Sequence, residues 1–121
     1  MTTVLILDDE YLIANILSFA LEDEGLLTVT AGSGKRALEI LDRERPDLII
    51  TDFMMPGMTG IEFAEAVRAH PDHKSTPMIL MSGAQAHLGT ARSDLFAAVL
   101  DKPFRIESVI EQVKALLKLE T

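Results

Sequence analysis

Five short apolar runs separated by longer amphipathic stretches are the feature that most constrains the fold of this chain. The runs cover residues 4–7, 27–30, 48–51, 78–81 and 98–100. Short continuous apolar runs are typical of strands that are buried on both faces of a sheet. Strands that alternate with helices predict a parallel sheet with helices on both faces, which is an α/β fold.

The stretches between these runs carry helical spacing and residues that mark helix ends. Gly25 is placed to end the first helix, and Ser33 is placed to cap the start of the second. Thr59 and Glu62 have the spacing of a capping box, which predicts the start of the third helix. The first stretch has the spacing of one inward helix face in Ile13, Ile16, Leu17, Ala20 and Leu21.

The remaining two helices differ in how clearly the sequence indicates them. Residues 84–97 are interpreted as a fourth helix, although Gly89 interrupts the segment and its apolar spacing is poor. A regular apolar stripe over residues 106–117 predicts the fifth helix. No repeat or linker divides the chain of 121 residues, so we expect one domain over residues 1–121.

The charge and the residue types exclude several classes of function. The formal net charge is −8, so the chain should repel nucleic-acid phosphates and anionic membranes, and we expect neither as a partner. The sequence contains no cysteine, which excludes disulfides and thiolate metal sites and fits a reducing compartment. The first residues lack a basic and then apolar leader, and the apolar runs are too short to span a bilayer, so we expect a cytoplasmic protein.

The polar residues that follow the apolar runs are the most informative part of the sequence. Asp8 and Asp9 follow the first run, Asp52 the third and Ser82 the fourth, and Lys102 stands two residues after the fifth. The carboxyl ends of parallel strands share one edge, where α/β sheets bind ligands, so all five residues belong to that edge. If the strand order is 2-1-3-4-5, the first and third strands are neighbours and the three aspartates converge in one crevice.

Three converging carboxylates cannot all stay ionised without compensation, so either the pKa of one of them rises steeply or a cation binds among them. Oxygen ligands favour Mg²⁺, which leaves coordination positions for phosphate oxygens. Lys102 adds a positive charge and Ser82 a hydroxyl donor, which suits phosphoryl transfer. Asp52 ends a central strand and is the preferred nucleophile, giving an acyl phosphate, whereas Asp8 and Asp9 fit metal ligands. Each residue alone also has a structural interpretation, such as a helix cap or a turn, and only their joint placement favours a site.

With these residues in place, the sequence resembles the receiver domain of two-component response regulators. The resemblance covers essentially the whole chain, and the motifs come in the family's order. The matching segments are VLILDDE at 4–10, PDLIITD at 46–52, MPGMTG at 55–60, ILMSG at 79–83 and KPF at 102–104. The resemblance implies a doubly wound, flavodoxin-like, five-stranded parallel sheet of order 2-1-3-4-5 with helices on both faces.

The resemblance also implies roles for the acids and a phosphoryl donor. Asp52 is similar to the acceptor that takes a phosphoryl group from a histidine of a sensor histidine kinase or a histidine phosphotransfer protein. Asp9 corresponds to a direct Mg²⁺ ligand and Asp8 to a ligand that acts through water. The backbone carbonyl of Met54 corresponds to a further protein ligand beside Asp52.

The remaining expectations from the resemblance concern switching. Ser82 resembles the hydroxyl that moves toward the phosphoryl group, and Lys102 the lysine that pairs with it. Such a domain catalyses only its own phosphorylation and dephosphorylation, and it signals by docking a downstream protein, alone or as a homodimer. The family often has an aromatic residue three positions before the lysine, where this chain has Val99. Met54 and Ala84 flank the expected phosphoryl site and cannot orient an attacking water, so we expect slow self-dephosphorylation.

Three other functions are open to this pattern of residues. A phosphorylation-independent interaction module could use the same fold, although such modules usually lack the acceptor, an acid or the lysine. A phosphohydrolase with an aspartyl nucleophile wants an acid two residues later, where this chain has Met54. A flavodoxin-type flavin carrier is disfavoured because acids 8–10 would repel the cofactor phosphate.

The histidines His70, His73 and His87 are not at metal-binding spacing and are interpreted as surface residues.

Overall fold

A parallel sheet of five strands forms the centre of the computed structural model, which describes residues 2–83 and 92–118. The strands are β1 (Thr3–Leu7), β2 (Leu27–Ala31), β3 (Leu48–Asp52), β4 (Met78–Ser82) and β5 (Ala98–Asp101). Their order is β2-β1-β3-β4-β5, and every neighbouring pair is parallel. The predicted doubly wound, flavodoxin-like sheet is therefore confirmed. Leu7 of β1 pairs with Thr51 of β3, so the residues that follow these two positions meet at the carboxyl edge.

The described residues form four helices, and their predicted ends are confirmed. The helices are α1 (Tyr11–Asp23), α2 (Gly34–Glu44), α3 (Gly60–Ala69) and α4 (Ile106–Leu117). The Ser33 side chain accepts a hydrogen bond from the Arg36 N–H at 3.2 Å and so caps α2. Thr59 and Glu62 form the predicted capping box of α3. Gly25 follows the end of α1 with a φ of 88°, a left-handed conformation that glycine adopts readily.

The sheet separates two apolar cores. Helices α2 and α3 cover one face, and helices α1 and α4 cover the other. Side chains of β1 alternate between them: Leu5 and Leu7 belong to the core under α2 and α3, and Val4 and Ile6 to the core under α1 and α4. This alternation explains why the strands read as continuous apolar runs. None of the helices in the described part of the chain combines the length and apolar character needed to cross a membrane.

The segment before β5 is only partly described. Residues 84–91 of the predicted fourth helix lie outside the described residues, as does His87. Residues 92–95 form turns and residues 96–97 are irregular, so the prediction of helix up to residue 97 is wrong at this end. Leu95 and Phe96 are both buried in the core under α2 and α3, which explains why this segment carries large apolar residues without being a helix.

The inward face of α1 is also corrected by the structure. Its buried residues are Ala14, Leu17 and Leu21, whose spacing of three and four positions places them on one side of the helix. The prediction that Ile16 faces inward is wrong, because this residue is 53% exposed. The apolar residues of α1 cover so much of its circumference that spacing alone does not identify the packed face.

Candidate functional site

The carboxyl edge of the sheet brings together residues that are far apart in the sequence. Asp8 directly follows β1, Asp52 is the last residue of β3 and Lys102 directly follows β5. Carboxylate oxygens of Asp8, Glu10 and Asp52 lie within 4.8 Å of one another. Of the three aspartates expected to converge in one crevice, Asp8 and Asp52 do so, whereas Asp9 is not in this group and Glu10 takes its place.

Lys102 supplies the positive charge of this crevice. Its Nζ lies 2.9 Å from Asp52 Oδ1 and 3.8 Å from both Asp8 Oδ2 and Glu10 Oε1. Burial alone would lower the pKa of the ammonium, but the hydrogen bond from Lys102 to Asp52 and the surrounding carboxylates raise it above its usual value. The Lys102 backbone N–H donates to the Ser82 carbonyl at 2.8 Å, which ties the lysine to the end of β4.

Asp52 is held by the backbone as well as by Lys102. The side chain is buried, and its Oδ1 accepts the Phe53 N–H at 3.0 Å. The carbonyl of Phe53 in turn accepts the N–H of Gly60, the first residue of α3, at 2.7 Å. A Cβ added to Gly60 would collide with the Asp52 backbone oxygen, so only glycine lets α3 begin this close to the end of β3.

Asp8 is the most deeply buried acid of the site, with 2% of its surface exposed. Its Oδ1 accepts the Glu10 N–H at 2.8 Å. Its Oδ2 is buried without a hydrogen-bond partner among the described residues. Burial raises the pKa of Asp8 to about 6, the Glu10 N–H opposes this rise and the negative charge of Asp52 adds to it.

These observations fit a divalent cation with oxygen ligands. A buried carboxylate oxygen without a partner and two neighbouring carboxylates form a donor set suited to Mg²⁺. The geometry adds Glu10, to which the sequence analysis gave no role. Asp9 is exposed and is not in the group of three converging acids, and its role as a ligand stays a prediction.

Two further predicted site residues lie around this group. Ser82, the last residue of β4, is buried, and its Oγ has no hydrogen-bond partner in the described residues. A buried hydroxyl without a partner is costly, which fits a group that awaits an acceptor. Met54 follows Asp52 by two residues, and its side chain is 59% exposed. Ala84, its predicted counterpart across the site, lies outside the described residues.

Comparisons with known proteins point to one family. The family model described as "Response regulator receiver domain" matches residues 4–114. Sporulation initiation phosphotransferase F of Bacillus subtilis is 33% identical over 119 residues, which cover 98% of this chain and 95% of that protein. The probable transcriptional regulatory protein TcrX of Mycobacterium tuberculosis is 35% identical, over 96% of this chain but only 50% of its own length. This chain therefore spans about half the length of that relative.

A solved structure of a response regulator also resembles this chain over nearly its whole length. The response regulator protein TrrA of Thermotoga maritima, crystallised in complex with Mg²⁺-BeF, superposes with a TM-score of 0.84 at 32% identity. The superposition covers 96% of this chain and 99% of that one.

Proposed function

The chain belongs to the family of response regulator receiver domains, and from this membership we propose that it is a phosphorylation switch whose acceptor is Asp52. The observation that carries the proposal is the pairing of buried Asp52 with Lys102 at 2.9 Å beside the carboxylates of Asp8 and Glu10. The phosphoryl donor is a sensor histidine kinase or a histidine phosphotransfer protein. The protein acts on itself and turns over no separate substrate.

The nucleophile is the second oxygen of Asp52. Oδ1 already contacts the Phe53 N–H and the Lys102 ammonium, so we assign the attack to Oδ2. The new O–P bond forms as the P–N bond of the donor phosphohistidine breaks, and the released imidazole nitrogen takes up a proton. The product is an acyl phosphate on Asp52. Lys102 and the Ser82 hydroxyl then contact phosphoryl oxygens, which gives the buried hydroxyl its missing acceptor.

The acids of the crevice would hold Mg²⁺ during this reaction. Asp8, Asp9, Asp52 and the Met54 carbonyl are the proposed ligands, and Glu10 lies close enough to assist. When bound, Mg²⁺ supplies positive charge that stabilises the phosphoryl oxygens in transfer. The Mg²⁺-BeF complex of the related TrrA protein supports this assignment.

The donor protein is proposed to dock on the exposed face of α1. A phosphohistidine has to reach Asp52, so its protein has to cover the surface beside the crevice. Helix α1 begins three residues after Asp8, and its Tyr11 lines a cleft together with Asp8 and Asp9. Four large apolar side chains of this helix are exposed, namely Tyr11, Leu12, Ile16 and Phe19. They lie within an arc of about 140° around the helix axis and form an apolar face that is interrupted by Asn15.

Phosphorylation by acetyl phosphate and Mg²⁺, followed by intact-protein mass spectrometry, tests the acceptor. We expect one added phosphoryl mass on the wild type and none on Asp52→Ala. The control is Asp101→Ala, because Asp101 is an exposed acid at the same edge of the sheet and should be dispensable. Removal of Mg²⁺ with EDTA should abolish the reaction. An unmodified wild type would favour the phosphorylation-independent module, and modification of Asp52→Ala would place the acceptor elsewhere.

A further inference from the structure

A second cluster of metal-ligating side chains lies at the amino edge of the sheet, where α2 leads into β3 and α3 leads toward β4. Asp42 is in the last turn of α2, His70 is the residue that caps the end of α3, and His73 is in the turn that follows. Asp42 Oδ1 lies 2.9 Å from His73 Nε2 and 3.2 Å from His70 Nε2. The two rings are 4.7 Å apart between centroids and tilted by 51°.

The interpretation of these histidines as surface residues is wrong for His73, which is buried, whereas His70 is partly exposed. The His73 side chain is only 3% exposed, and the His70 side chain is 36% exposed. Asp42 is 65% exposed, so solvent or a further ligand reaches the cluster from one side. A buried imidazole, a half-buried imidazole and a solvent-facing carboxylate thus share one point.

The turn that carries His73 is fixed in place by Arg68. One guanidinium nitrogen, Nη1, donates to the carbonyl oxygens of His73 at 3.2 Å and Thr76 at 2.6 Å. The other, Nη2, donates to the Leu95 carbonyl at 2.8 Å, across to the segment before β5. The His73 N–H also donates to the His70 carbonyl at 3.0 Å. The cluster is therefore preorganised, because its backbone is held by bonds that do not involve the three ligand atoms.

The distances from the Asp42 oxygen to the two histidine nitrogens are close to those between neighbouring ligands of one small cation. Imidazole nitrogen and carboxylate oxygen bind Zn²⁺ at about 2.0–2.1 Å, which places neighbouring ligands of a tetrahedral site about 3.3 Å apart. The two distances from Asp42 Oδ1 are within a few tenths of an ångström of this value, and all three ligand atoms lie within 4.8 Å of one another.

Without a cation, both rings have to donate to the same oxygen. Asp42 Oδ1 accepts from both only when each imidazole carries its proton on Nε2. The Asp72 N–H, which donates to His70 Nδ1 at 3.3 Å, favours the same tautomer. A cation would replace the two protons, and the His70 proton would move to Nδ1 with loss of that long hydrogen bond.

We propose that Asp42, His70 and His73 form a second metal site that binds Zn²⁺ or a similar borderline divalent ion, with a fourth position open to water. Two imidazoles and one carboxylate prefer such ions to Mg²⁺, whereas the all-oxygen crevice around Asp52 has the opposite preference. A bound ion would join the end of α2 to the end of α3 and to the turn before β4. The site is independent of the proposed phosphorylation.

Titration with Co²⁺ and Zn²⁺ of the metal-free chain tests this proposal. We expect one equivalent of Co²⁺ to give the intense visible absorption of a tetrahedral nitrogen and oxygen site, and Zn²⁺ to displace it. His70→Ala and Asp42→Asn each remove one ligand at a position that is not fully buried, and each should weaken Zn²⁺ binding by at least about tenfold. A large excess of Mg²⁺ should leave the absorption unchanged.

Two control variants separate this site from other places where the ion could bind. His87→Ala removes the one histidine outside the cluster, and Asp52→Ala removes an acid from the crevice; both should bind Zn²⁺ as the wild type does. Equal affinity in wild type, His70→Ala and Asp42→Asn would overturn the proposal. Loss of binding in Asp52→Ala with retention in His70→Ala would also overturn it, because the ion would then be in the acidic crevice.

Discussion

The buried carboxylate of Asp8 destabilises the folded protein when no cation is bound beside it. Burial raises the pKa of this carboxyl to about 6, above its value of 3.8 in the unfolded chain. Below about pH 3 both states are protonated, and Asp8 does not affect stability. As the pH rises from about 3 to 6, the unfolded state ionises first, so the free energy of unfolding falls. Above about pH 6 the full penalty of roughly 1 to 3 kcal/mol remains.

Asp8→Asn should therefore stabilise the metal-free protein at neutral pH. The amide oxygen can still accept the Glu10 N–H, and no buried negative charge remains at this position. We expect a gain of about 1–2 kcal/mol at pH 7.5 that shrinks as the pH falls through 6 and disappears near pH 3, measured by urea unfolding in EDTA. Asp9→Asn, an exposed neighbour, should stay within about 0.5 kcal/mol of wild type. A gain that does not depend on pH would show that the buried charge is not its cause.

Gly60 controls the position of Asp52 through the backbone. An added Cβ would meet the Asp52 carbonyl oxygen and lie 3.0 Å from Leu80 Cδ1, so the start of α3 or the end of β3 would have to move. We expect Gly60→Ala to cost about 1–3 kcal/mol of stability and to slow phosphorylation by acetyl phosphate several-fold. Gly32→Ala is the matched control, because a Cβ at Gly32 has no atom within 4 Å. A normal phosphorylation rate in Gly60→Ala would show that the local backbone adapts.

At the scale of elements, the sequence predicted what local chemistry determines. Strands buried on both faces are apolar throughout, so continuous apolar runs in the sequence predicted their positions. Helix starts were readable because Ser33 and the pair Thr59 and Glu62 satisfy backbone N–H groups within one turn. The meeting of Asp8, Asp52 and Lys102 followed from the parallel order of strands, since each residue stands at a strand end.

The sequence did not predict features that depend on the path of the backbone or on contacts between distant segments. Which of the consecutive acids turns into the crevice is decided by the backbone after β1, and Glu10 rather than Asp9 converges with Asp8 and Asp52. Asp42 and His73 are 31 residues apart, so no local spacing indicates their pairing. The inward face of α1 was ambiguous because that helix also carries an apolar outer face.

At the scale of the whole molecule, the two edges of the sheet present different chemistry. At the carboxyl edge three carboxylates converge beside one lysine, and at the amino edge two imidazoles converge on one carboxylate. The exposed apolar face of α1 begins at the carboxyl edge, where Tyr11 lines a cleft with Asp8 and Asp9, and continues along the helix to Phe19. A net charge of −8 disfavours anionic partners, and the exposed apolar side chains of α1 offer a donor protein an apolar contact surface.

This arrangement predicts that α1 matters for a protein donor but not for a small one. Ile16→Ala with Phe19→Ala removes two exposed apolar side chains from the face, 53% and 67% exposed. Truncation of central contact residues typically costs more than about 1 kcal/mol, so transfer from a phosphorylated histidine phosphotransfer domain that serves the wild type should slow by about tenfold. The rate with acetyl phosphate should not change, because that donor needs no docking surface.

The matched control for this comparison is Leu27→Ala, since Leu27 is 47% exposed but begins β2 at the amino edge. It should leave both rates unchanged, because that edge is remote from Asp52. If the α1 double variant slowed both donors equally, the substitution would have disturbed the crevice itself. If it slowed neither, the donor would have to approach Asp52 over another surface, and the exposed face of α1 would need a different partner.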